Sequence, residues 1–404
     1  MSTITKAQAA KAFGAALFTH TRRQNTFVNM LTGSAPKAAK ADIAHGKKQS
    51  EKGAPVVMIN DLQSQAGDSV EMDLFHNLSG LPTMGDKKLE GRGESLSKTV
   101  FELRIDQGRK MVDSGGKMSQ KRTKHNLLST AKTLLGNYYN DLKDEVAMYH
   151  LAGARGSFAP DDIIIPLENH EEFKEIMVND VMAPTYDRHQ FGGDATSFEG
   201  IDAADIMTLE KLDDLALILE EQANPMKHIS FEADQMANES PFFLLFVTPR
   251  QWRDLWASAT DKKLQELQSR AIKRGQGFNH PVFKGDVIMW RNILVRQYRK
   301  PVRFYQGDTV TVSNNDKLAT TKQVTAGTTI DRAILLGGQA LANAYGKSDS
   351  GSHFSMTTEK TDHGNANETA IVWMNGCKKV RFSDKTGRVN DYGTMVIDTA
   401  VSLQ

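Results

Sequence analysis

The chain has 404 residues, of which 25% are charged and 39% are hydrophobic, and its formal net charge is +1. That length is ample for a buried core, in one elaborate domain or in about two or three smaller ones. The near-neutral charge argues against a protein that neutralises nucleic-acid phosphates over a broad surface, and the sequence has no apolar run of about eighteen residues that would cross a membrane.

The N-terminal part of the chain predicts an arm rather than a compact domain. Residues 3–30 predict a helix with a shallow, alanine-rich apolar face and a basic pair, Arg22 and Arg23. Such a segment suits either a membrane surface or a partner chain, and the shallow face favours the partner chain. Residues 33–53 are rich in Lys, Ala, Ser and Gly and predict a flexible connector, which precedes a short strand at residues 55–59.

Two alternating segments, residues 70–75 and 99–105, predict a pair of half-buried strands. The segment between them is long, polar and rich in glycine, whereas an ordinary hairpin loop has about two to five residues. We therefore predict an extended two-stranded arm. Because an isolated two-stranded ribbon is unstable in water, this arm needs a neighbouring subunit on which to lie.

A long amphipathic helix is predicted over residues 119–153, with Ser119 as its N-cap and Gly153 as its stop. At about 1.5 Å per residue it would be roughly 50 Å long. We expect Leu134 and Leu142 to be buried against a sheet. The predicted apolar face consists of Leu127, Ala131, Leu134, Tyr138, Leu142, Val146 and Tyr149. The predicted solvated face consists of Lys124, Lys132, Asn137, Asp141 and Lys143.

The rest of the chain predicts a mixed α+β body without an internal repeat. Residues 208–221 predict a helix, and residues 242–247 predict a strand buried on both faces. Thr248 and Pro249 are suited to cap and begin the next helix. A second strand-to-helix unit and further strands are predicted at residues 332–338 (strand), 339–345 (helix), 287–290, 293–298, 302–312, 370–374, 378–382 and 393–400.

No set of residues assembles a catalytic, cofactor or metal site. Gly337 and Gly338 lack the spacing of a phosphate-binding loop and are attributed to tight packing. Cys377, the single cysteine, follows an apolar run and is expected to be a buried, inert thiol in a chain folded in a reducing cytoplasm. Two clusters of histidine and carboxylate residues lack metal-ligand spacing: His353, Asp362 and His363, and Glu168, His170, Glu171 and Glu172.

The order of these parts resembles the HK97-fold major capsid proteins of tailed phages. More closely, the chain is similar to the major capsid proteins of podoviruses that package a virion RNA polymerase. The residues that carry the resemblance are HPVFKGDVIMWRNILVRQY (280–298), TTIDRAILLGGQALANAYG (328–346), DYGTMVIDTA (391–400) and the strand, Thr-Pro and helix of residues 242–256.

The resemblance implies a five-part division of an HK97-like fold: an N-terminal arm (1–67), an extended E-loop (68–108), a peripheral domain containing the spine helix (109–200), an axial domain (201–346) and a return to the peripheral domain (347–404). It implies a major capsid protein, without enzymatic activity or cofactor, that assembles as pentamers and hexamers into an icosahedral shell around phage double-stranded DNA. Portal and scaffolding proteins are expected to be separate chains, and decoration proteins are further partners. The packaged DNA would be contacted weakly, and assembly is expected in the host cytoplasm.

The tip of the predicted arm carries both signs of charge within a few residues. Interleaved charges of this kind would set the register on a neighbouring subunit more than they would add affinity, because each exposed pair contributes only about 0–1 kcal/mol. A solvated loop whose charges only maintain solubility fits the sequence equally well. The predicted intersubunit contact residues are Asp86, Lys87, Lys88, Glu90, Arg92 and Glu94.

Two other classes of function stay open at the level of sequence. One is an enzyme with a mixed α/β body whose site residues the sequence does not assemble. The other is a nucleic-acid-binding protein that forms no shell. The basic residues available to it are Lys121, Arg122, Lys124, His125, Arg296, Arg299, Lys300 and Arg303.

Overall fold

The computed structural model describes residues 27–32, 53–59, 67–76, 78, 80–123, 125–231, 234, 240–259, 261–277, 280–314, 318–346 and 354–402. Most of the predicted N-terminal helix, the connector before Gly53, Lys124 and His353 lie outside these ranges.

The described residues form a mixed α+β fold. The helices are α1 (Phe27–Leu31), α2 (Lys117–Arg122), α3 (Leu127–Ala152), α4 (Phe173–Met177), α5 (Leu209–Glu221), α6 (Pro249–Ala257) and α7 (Asp261–Gly277). The strands are β1 (Val56–Ile59), β2 (Ser69–Phe75), β3 (Lys98–Arg104), β4 (Asp106–Gly116), β5 (His189–Phe191), β6 (Phe243–Val247), β7 (Val287–Trp290), β8 (Ile293–Gln297), β9 (Val302–Phe304), β10 (Thr309–Ser313), β11 (Thr321–Thr325), β12 (Ile330–Leu336), β13 (Leu341–Tyr345), β14 (Phe354–Thr361), β15 (Ala366–Lys379), β16 (Arg381–Ser383), β17 (Val389–Asp391) and β18 (Thr394–Ala400).

A central sheet has the strand order β5-β18-β12-β6-β8-β7, and β9 also pairs with β12. Every residue of β6, β12 and β18 is buried, as expected for strands covered on both faces. The predicted start of the following helix is confirmed: the Thr248 hydroxyl and Gln251 form a reciprocal capping box, and Pro249 is the first residue of α6. This sheet with α5, α6 and α7 forms one continuous apolar core.

A second, peripheral sheet has the order β1-β13-β15-β14, and β4 pairs with β15 along its other edge. Helix α3, the spine helix, packs on this sheet, and the rings of Tyr139 and Trp373 lie 5.3 Å apart. The remaining strands form two-stranded ribbons: β2–β3, β10–β11 and β16–β17.

The long helix predicted over residues 119–153 is divided in the structure. Between α2 and α3 the side-chain amide of Gln120 donates to the His125 carbonyl (2.7 Å), and its oxygen accepts from the Leu127 N–H (3.1 Å). These bonds replace helical backbone bonds, so the N-cap of the spine helix is Asn126 rather than Ser119. The predicted stop is confirmed, because Gly153 adopts a left-handed φ of 68° that favours glycine.

The buried face of the spine helix is rotated from the predicted one. Leu142 is buried as expected, but Leu134 is 46% exposed while Leu135 is 1% exposed. Asp141, expected on the solvated face, is buried, as are Asp144 and Glu145. The buried face of the helix therefore includes charged residues as well as the apolar repeat. Their burial is possible because these carboxylates have partners inside the protein.

The prediction of a helix at residues 339–345 is wrong, since residues 341–345 form the strand β13. Gln339 turns the chain with φ of 58°, and β13 then pairs with β1 on one side and β15 on the other. Tertiary pairing therefore overrides the local helical preference of this alanine-containing segment. The predicted tight packing at Gly337 agrees with the structure, because a Cβ there would lie 2.3 Å from the Lys227 carbonyl oxygen.

Candidate assembly interface

The predicted arm is present as the ribbon β2–β3, with Ser69 paired to Arg104 and Phe75 to Lys98. Alternate residues of both strands face inward or outward, as the sequence pattern indicates. Near the body, Phe101 and Leu103 are buried in an apolar cluster with residues of β1 and β13. Beyond the paired strands, the described residues between His76 and Ser97 belong to no helix or strand and form the loop tip.

The root of the ribbon is held by three sets of contacts. The Asn179 side chain accepts from the Arg104 N–H (3.1 Å) and donates to the Arg104 carbonyl (2.9 Å), which occupies both backbone groups of the last β3 residue. Lys378 donates to the Glu102 carbonyl (2.8 Å). The Phe101 ring lies 5.9 Å from Phe382 on β16. The direction in which the arm leaves the body is therefore fixed by polar and apolar contacts together.

All six predicted contact residues lie in the loop tip and are exposed. Asp86, Lys87, Lys88, Glu90 and Arg92 form no ion pair with any described residue. Glu94 differs, because its carboxylate pairs with Lys385 of the β16–β17 hairpin and accepts from the Gly80 N–H (2.7 Å). The structure thus leaves five of these charges available to a partner and uses the sixth to shape the tip.

The contact residues predicted from sequence do not include the apolar side chains of the same loop. The large apolar residues in or beside the tip are between 59% and 94% exposed. Such a group of exposed apolar side chains on one projecting element marks an interaction surface. The signal was available in the sequence as repeated Leu and Met within a polar, glycine-rich segment. These residues are Phe75, Leu78, Leu81, Met84, Leu89 and Leu96.

A buried ionic cluster joins the end of the spine helix to the central sheet. Arg332 on β12 forms two bonds of 2.7 Å to the Asp398 carboxylate, and it donates to the carbonyl of Ala152 at the end of the spine helix (2.9 Å). His189 Nε2 lies 2.7 Å from Asp398 Oδ2, the oxygen that also accepts from Arg332 Nη2. Burial alone would raise the pKa of Asp398, but Arg332 and His189 outweigh it and lower that pKa to about 2.

The basic cluster proposed for nucleic-acid binding at residues 296–303 is mostly not on the surface. Lys300 is buried and pairs with Glu145 of the spine helix (2.7 Å). Arg303 is buried and pairs with Asp331 (2.6 Å). Arg296 donates to the carbonyl oxygens of Pro281 (2.8 Å) and Val282. These three cations bind groups of their own subunit, so three of the eight basic residues of the nucleic-acid hypothesis are already engaged within the chain.

The histidine–carboxylate clusters are local loop structure. The Glu168 carboxylate accepts from the Arg155 N–H, and His170 Nδ1 accepts from the Glu172 N–H. Asp362 and His363 belong to a short turn between β14 and β15. Among the described residues no group of three or more candidate ligands is placed to hold a metal ion. Within the same ranges, no helix combines the length and apolar character needed to span a bilayer.

The long helix on a peripheral sheet, the central sheet and the projecting ribbon together define an HK97-like phage capsid fold. The capsid of Ralstonia phage GP4 matches with a TM-score of 0.76 and 27% identity, over 100% of this chain and 98% of that chain. The capsid of cyanophage Pam1 shares the fold, with a TM-score of 0.65 and 17% identity over 100% of both chains.

Sequence comparison agrees with the fold. The major capsid protein of Pseudomonas phage KPP25 is 28% identical over 131 residues, so the match spans 32% of this chain and about a third (31%) of that relative. The phage capsid protein family matches residues 2–403. The chain belongs to the phage capsid protein family, and its class is that of a major capsid protein, a structural component of the virion shell.

Proposed function

We propose that this chain is the repeated subunit of an icosahedral shell that encloses phage double-stranded DNA, built from pentamers and hexamers in the host cytoplasm. The observation that carries the proposal is the E-loop, whose rigidly anchored root supports a tip with exposed apolar side chains. A ribbon of this kind is not stable as an isolated element, and a neighbouring subunit is the surface that would cover it.

Within this proposal, the charges of the loop tip set the position of the E-loop on the neighbouring subunit. Asp86, Lys87, Lys88, Glu90 and Arg92 lie in the same loop as the exposed apolar residues. If a neighbouring subunit carries opposite charges at matching positions, a shifted position of the loop would bring like charges together and would be less stable. Glu94 keeps its intrachain role beside Lys385. Affinity in this arrangement comes mainly from the apolar side chains, since exposed ion pairs contribute only about 0–1 kcal/mol each.

The remaining parts follow the family's division into an N-terminal arm, E-loop, peripheral domain and axial domain, with the boundaries proposed from sequence. We further propose a podovirus of the group that packages a virion RNA polymerase as the source, with portal and scaffolding proteins as separate chains and decoration proteins as additional partners. The net charge of +1 supports weak contact with the packaged DNA. The occupied buried cations and the local bonding of the histidine clusters support a role without catalysis or cofactor.

Negative-stain electron microscopy of the expressed protein, alone and with its neighbouring gene products, tests the proposal. Closed particles of uniform diameter are expected, together with a fast-sedimenting species in the ultracentrifuge. A monodisperse monomer under both conditions, combined with a salt-sensitive gel shift on DNA, would instead favour the nucleic-acid-binding alternative.

A further inference from the structure

The subunit has a surface cleft of about 770 Å³, and none of the residues that line it belongs to the E-loop. It lies between β5 at the edge of the central sheet and the ribbon β10–β11, and the β16–β17 hairpin closes one end. Its apolar lining includes Phe191, Ala195, Val312 and Val324. Most of the other lining residues are polar or charged, so the cleft combines apolar contact with hydrogen-bonding groups, and its size suits a short peptide or another compact group.

One wall of the cleft is a free strand edge. Among the described strands, β5 pairs only with β18, and the Gly192 N–H donates to the Asp398 carbonyl on that side (2.8 Å). Because backbone groups alternate along a strand, the N–H and carbonyl of Phe191 face the opposite way, as does the carbonyl of His189. None of these three groups has a hydrogen-bond partner in the described part of the chain, so this edge can accept another strand.

A second, independent feature is Asn390 on β17. Its side chain lines the cleft and is only 8% exposed, yet neither its amide nitrogen nor its amide oxygen has a partner among the described residues. Leaving such a group unsatisfied costs about 1–3 kcal/mol. A primary amide presents a donor and an acceptor side by side, which complements the N–H and the carbonyl of one extended residue, as Asn179 does toward Arg104. Asn390 is therefore placed to bind a polypeptide backbone.

We propose that this cleft receives residues 81–84 of the E-loop tip of a second copy of this chain, which lie beside β5 as a short added strand. This inference rests on the proposed shell-forming function. In its own chain this segment belongs to no strand and makes no backbone hydrogen bond with any described residue, and Leu81 is 94% exposed. Leu81 is the apolar anchor for the cleft wall. Lys322 on the cleft rim, exposed and without an ion pair in the described ranges, is opposite in charge to Asp86, two residues beyond the segment.

The position of the cleft explains how successive subunits would connect. Asn390 lies on β17, and the partner strand β16 contacts the root of the same subunit's E-loop through Ser383, whose carbonyl accepts from the Thr99 hydroxyl (3.5 Å), and through Phe382 against Phe101. The β16–β17 hairpin thus borders the cleft that would bind one neighbour's arm. It also contacts the root of the arm that its own subunit would extend to another neighbour. A head-to-tail contact of this kind is heterologous, and it closes into a ring when the rotation between subunits fits.

Disulfide trapping in assembled particles tests the contact. Cys377 is buried, so a double variant Leu81→Cys/Thr196→Cys places the reactive thiols on the tip and on the cleft wall. After oxidation of closed shells, a non-reducing gel is expected to show a ladder of linked protomers ending at the pentamer and hexamer, while either single variant gives monomer only. The matched control, Leu81→Cys/Ser269→Cys, places the second thiol on the exposed side of α7 and should give no ladder.

Closed shells without a ladder, or an equal ladder from the control, would overturn the docking while leaving the shell-forming function intact. Absence of shells from the unmodified protein would overturn the function itself. A second variant, Asn390→Leu, should leave the melting temperature of the isolated subunit unchanged or raised, because no bond within the chain is lost. Its yield of closed shells at limiting protein concentration should fall at least about tenfold. A normal yield would show that Asn390 has no role toward a partner, and a lower melting temperature would show that its side chain is bonded within its own chain instead.

Discussion

Leu134 and Leu135 are adjacent in the sequence but lie in opposite environments, 46% and 1% exposed respectively. A repeat of three or four residues allows either leucine to lie on the apolar face, and the buried carboxylates of Asp141, Asp144 and Glu145 decide which face it is. Their partners come from distant segments: Glu145 pairs with Lys300, and Asp144 accepts from the Val28 N–H. The orientation of the spine helix is therefore set by contacts that no local pattern contains.

Alanine substitutions at these two leucines distinguish the buried face of the spine helix from its exposed face. Leu135→Ala should destabilise the subunit by about 2–5 kcal/mol, the usual cost of removing buried apolar volume. Leu134→Ala should change the stability of the isolated subunit by less than about 0.5 kcal/mol, because little burial is lost. Urea unfolding of both variants measures the difference. Equal losses would show that the face has been assigned wrongly.

His150 near the end of the spine helix makes stability depend on pH. Its burial lowers its pKa from 6.5 to about 4, although Nε2 lies 3.3 Å from the Met177 carbonyl oxygen. Between those values the unfolded chain binds a proton that the folded chain does not. Stability should therefore be complete above about pH 6.5 and fall as the pH drops toward 4, by on the order of 3 kcal/mol from this group.

Urea unfolding at pH 7 and at pH 4.5 tests this with His150→Gln. The variant should lose less stability on acidification than the unmodified protein, whatever its stability at pH 7. An identical loss in both proteins would mean that other groups, such as the buried His189, account for the whole acid response.

At the scale of elements, the E-loop should be separable from the fold. Replacing residues 77–97 with a short Gly/Ser turn removes the loop tip but keeps the paired strands and the buried Phe101 and Leu103. The subunit should retain its cooperative melting transition and fail to form shells, because the tip packs on little of its own chain. Calorimetry and particle yield are the two measurements, and loss of the cooperative transition would place the tip in the subunit core.

The elements that sequence predicted correctly are those with a local cause. The Thr248 cap, the Gly153 stop and the alternation of β2 and β3 each follow from residues within a few positions. The segment at 341–345 could not be predicted in this way, since β1 and β15 make it a strand. For the candidate interface, the arm and its charged tip could be predicted from the sequence. The cleft could not be predicted, because its walls come from four separated stretches of the chain.

At the scale of the whole molecule, the tip charges should matter for assembly and not for folding. Lys87→Glu/Lys88→Glu should block shell closure at low salt while leaving the melting temperature unchanged, because neither lysine pairs with a described residue. At about 1 M salt the Debye length is about 3 Å, so the defect should shrink. Light scattering during assembly at both salt concentrations measures this.

Arg270→Glu/Lys273→Glu on α7 provides a control with the same change in net charge. It should leave assembly closer to normal at low salt than the loop-tip variant does. A normal yield of closed particles from Lys87→Glu/Lys88→Glu at low salt would count against a registering role for the tip.

The connection between β3 and β4 determines how the subunit carries mechanical load. Only Ile105 separates the two strands, so a pull on the arm passes along the chain directly into β4. Strand β4 is bonded along β15 from Asp106, opposite Asn375, to Gly116, opposite Ala366. Since these bonds are perpendicular to the strands, tension along β4 loads them in shear, and they share the force instead of opening one after another. A pull on the arm of a subunit in a shell would therefore be resisted by the whole length of the β4–β15 pairing at once.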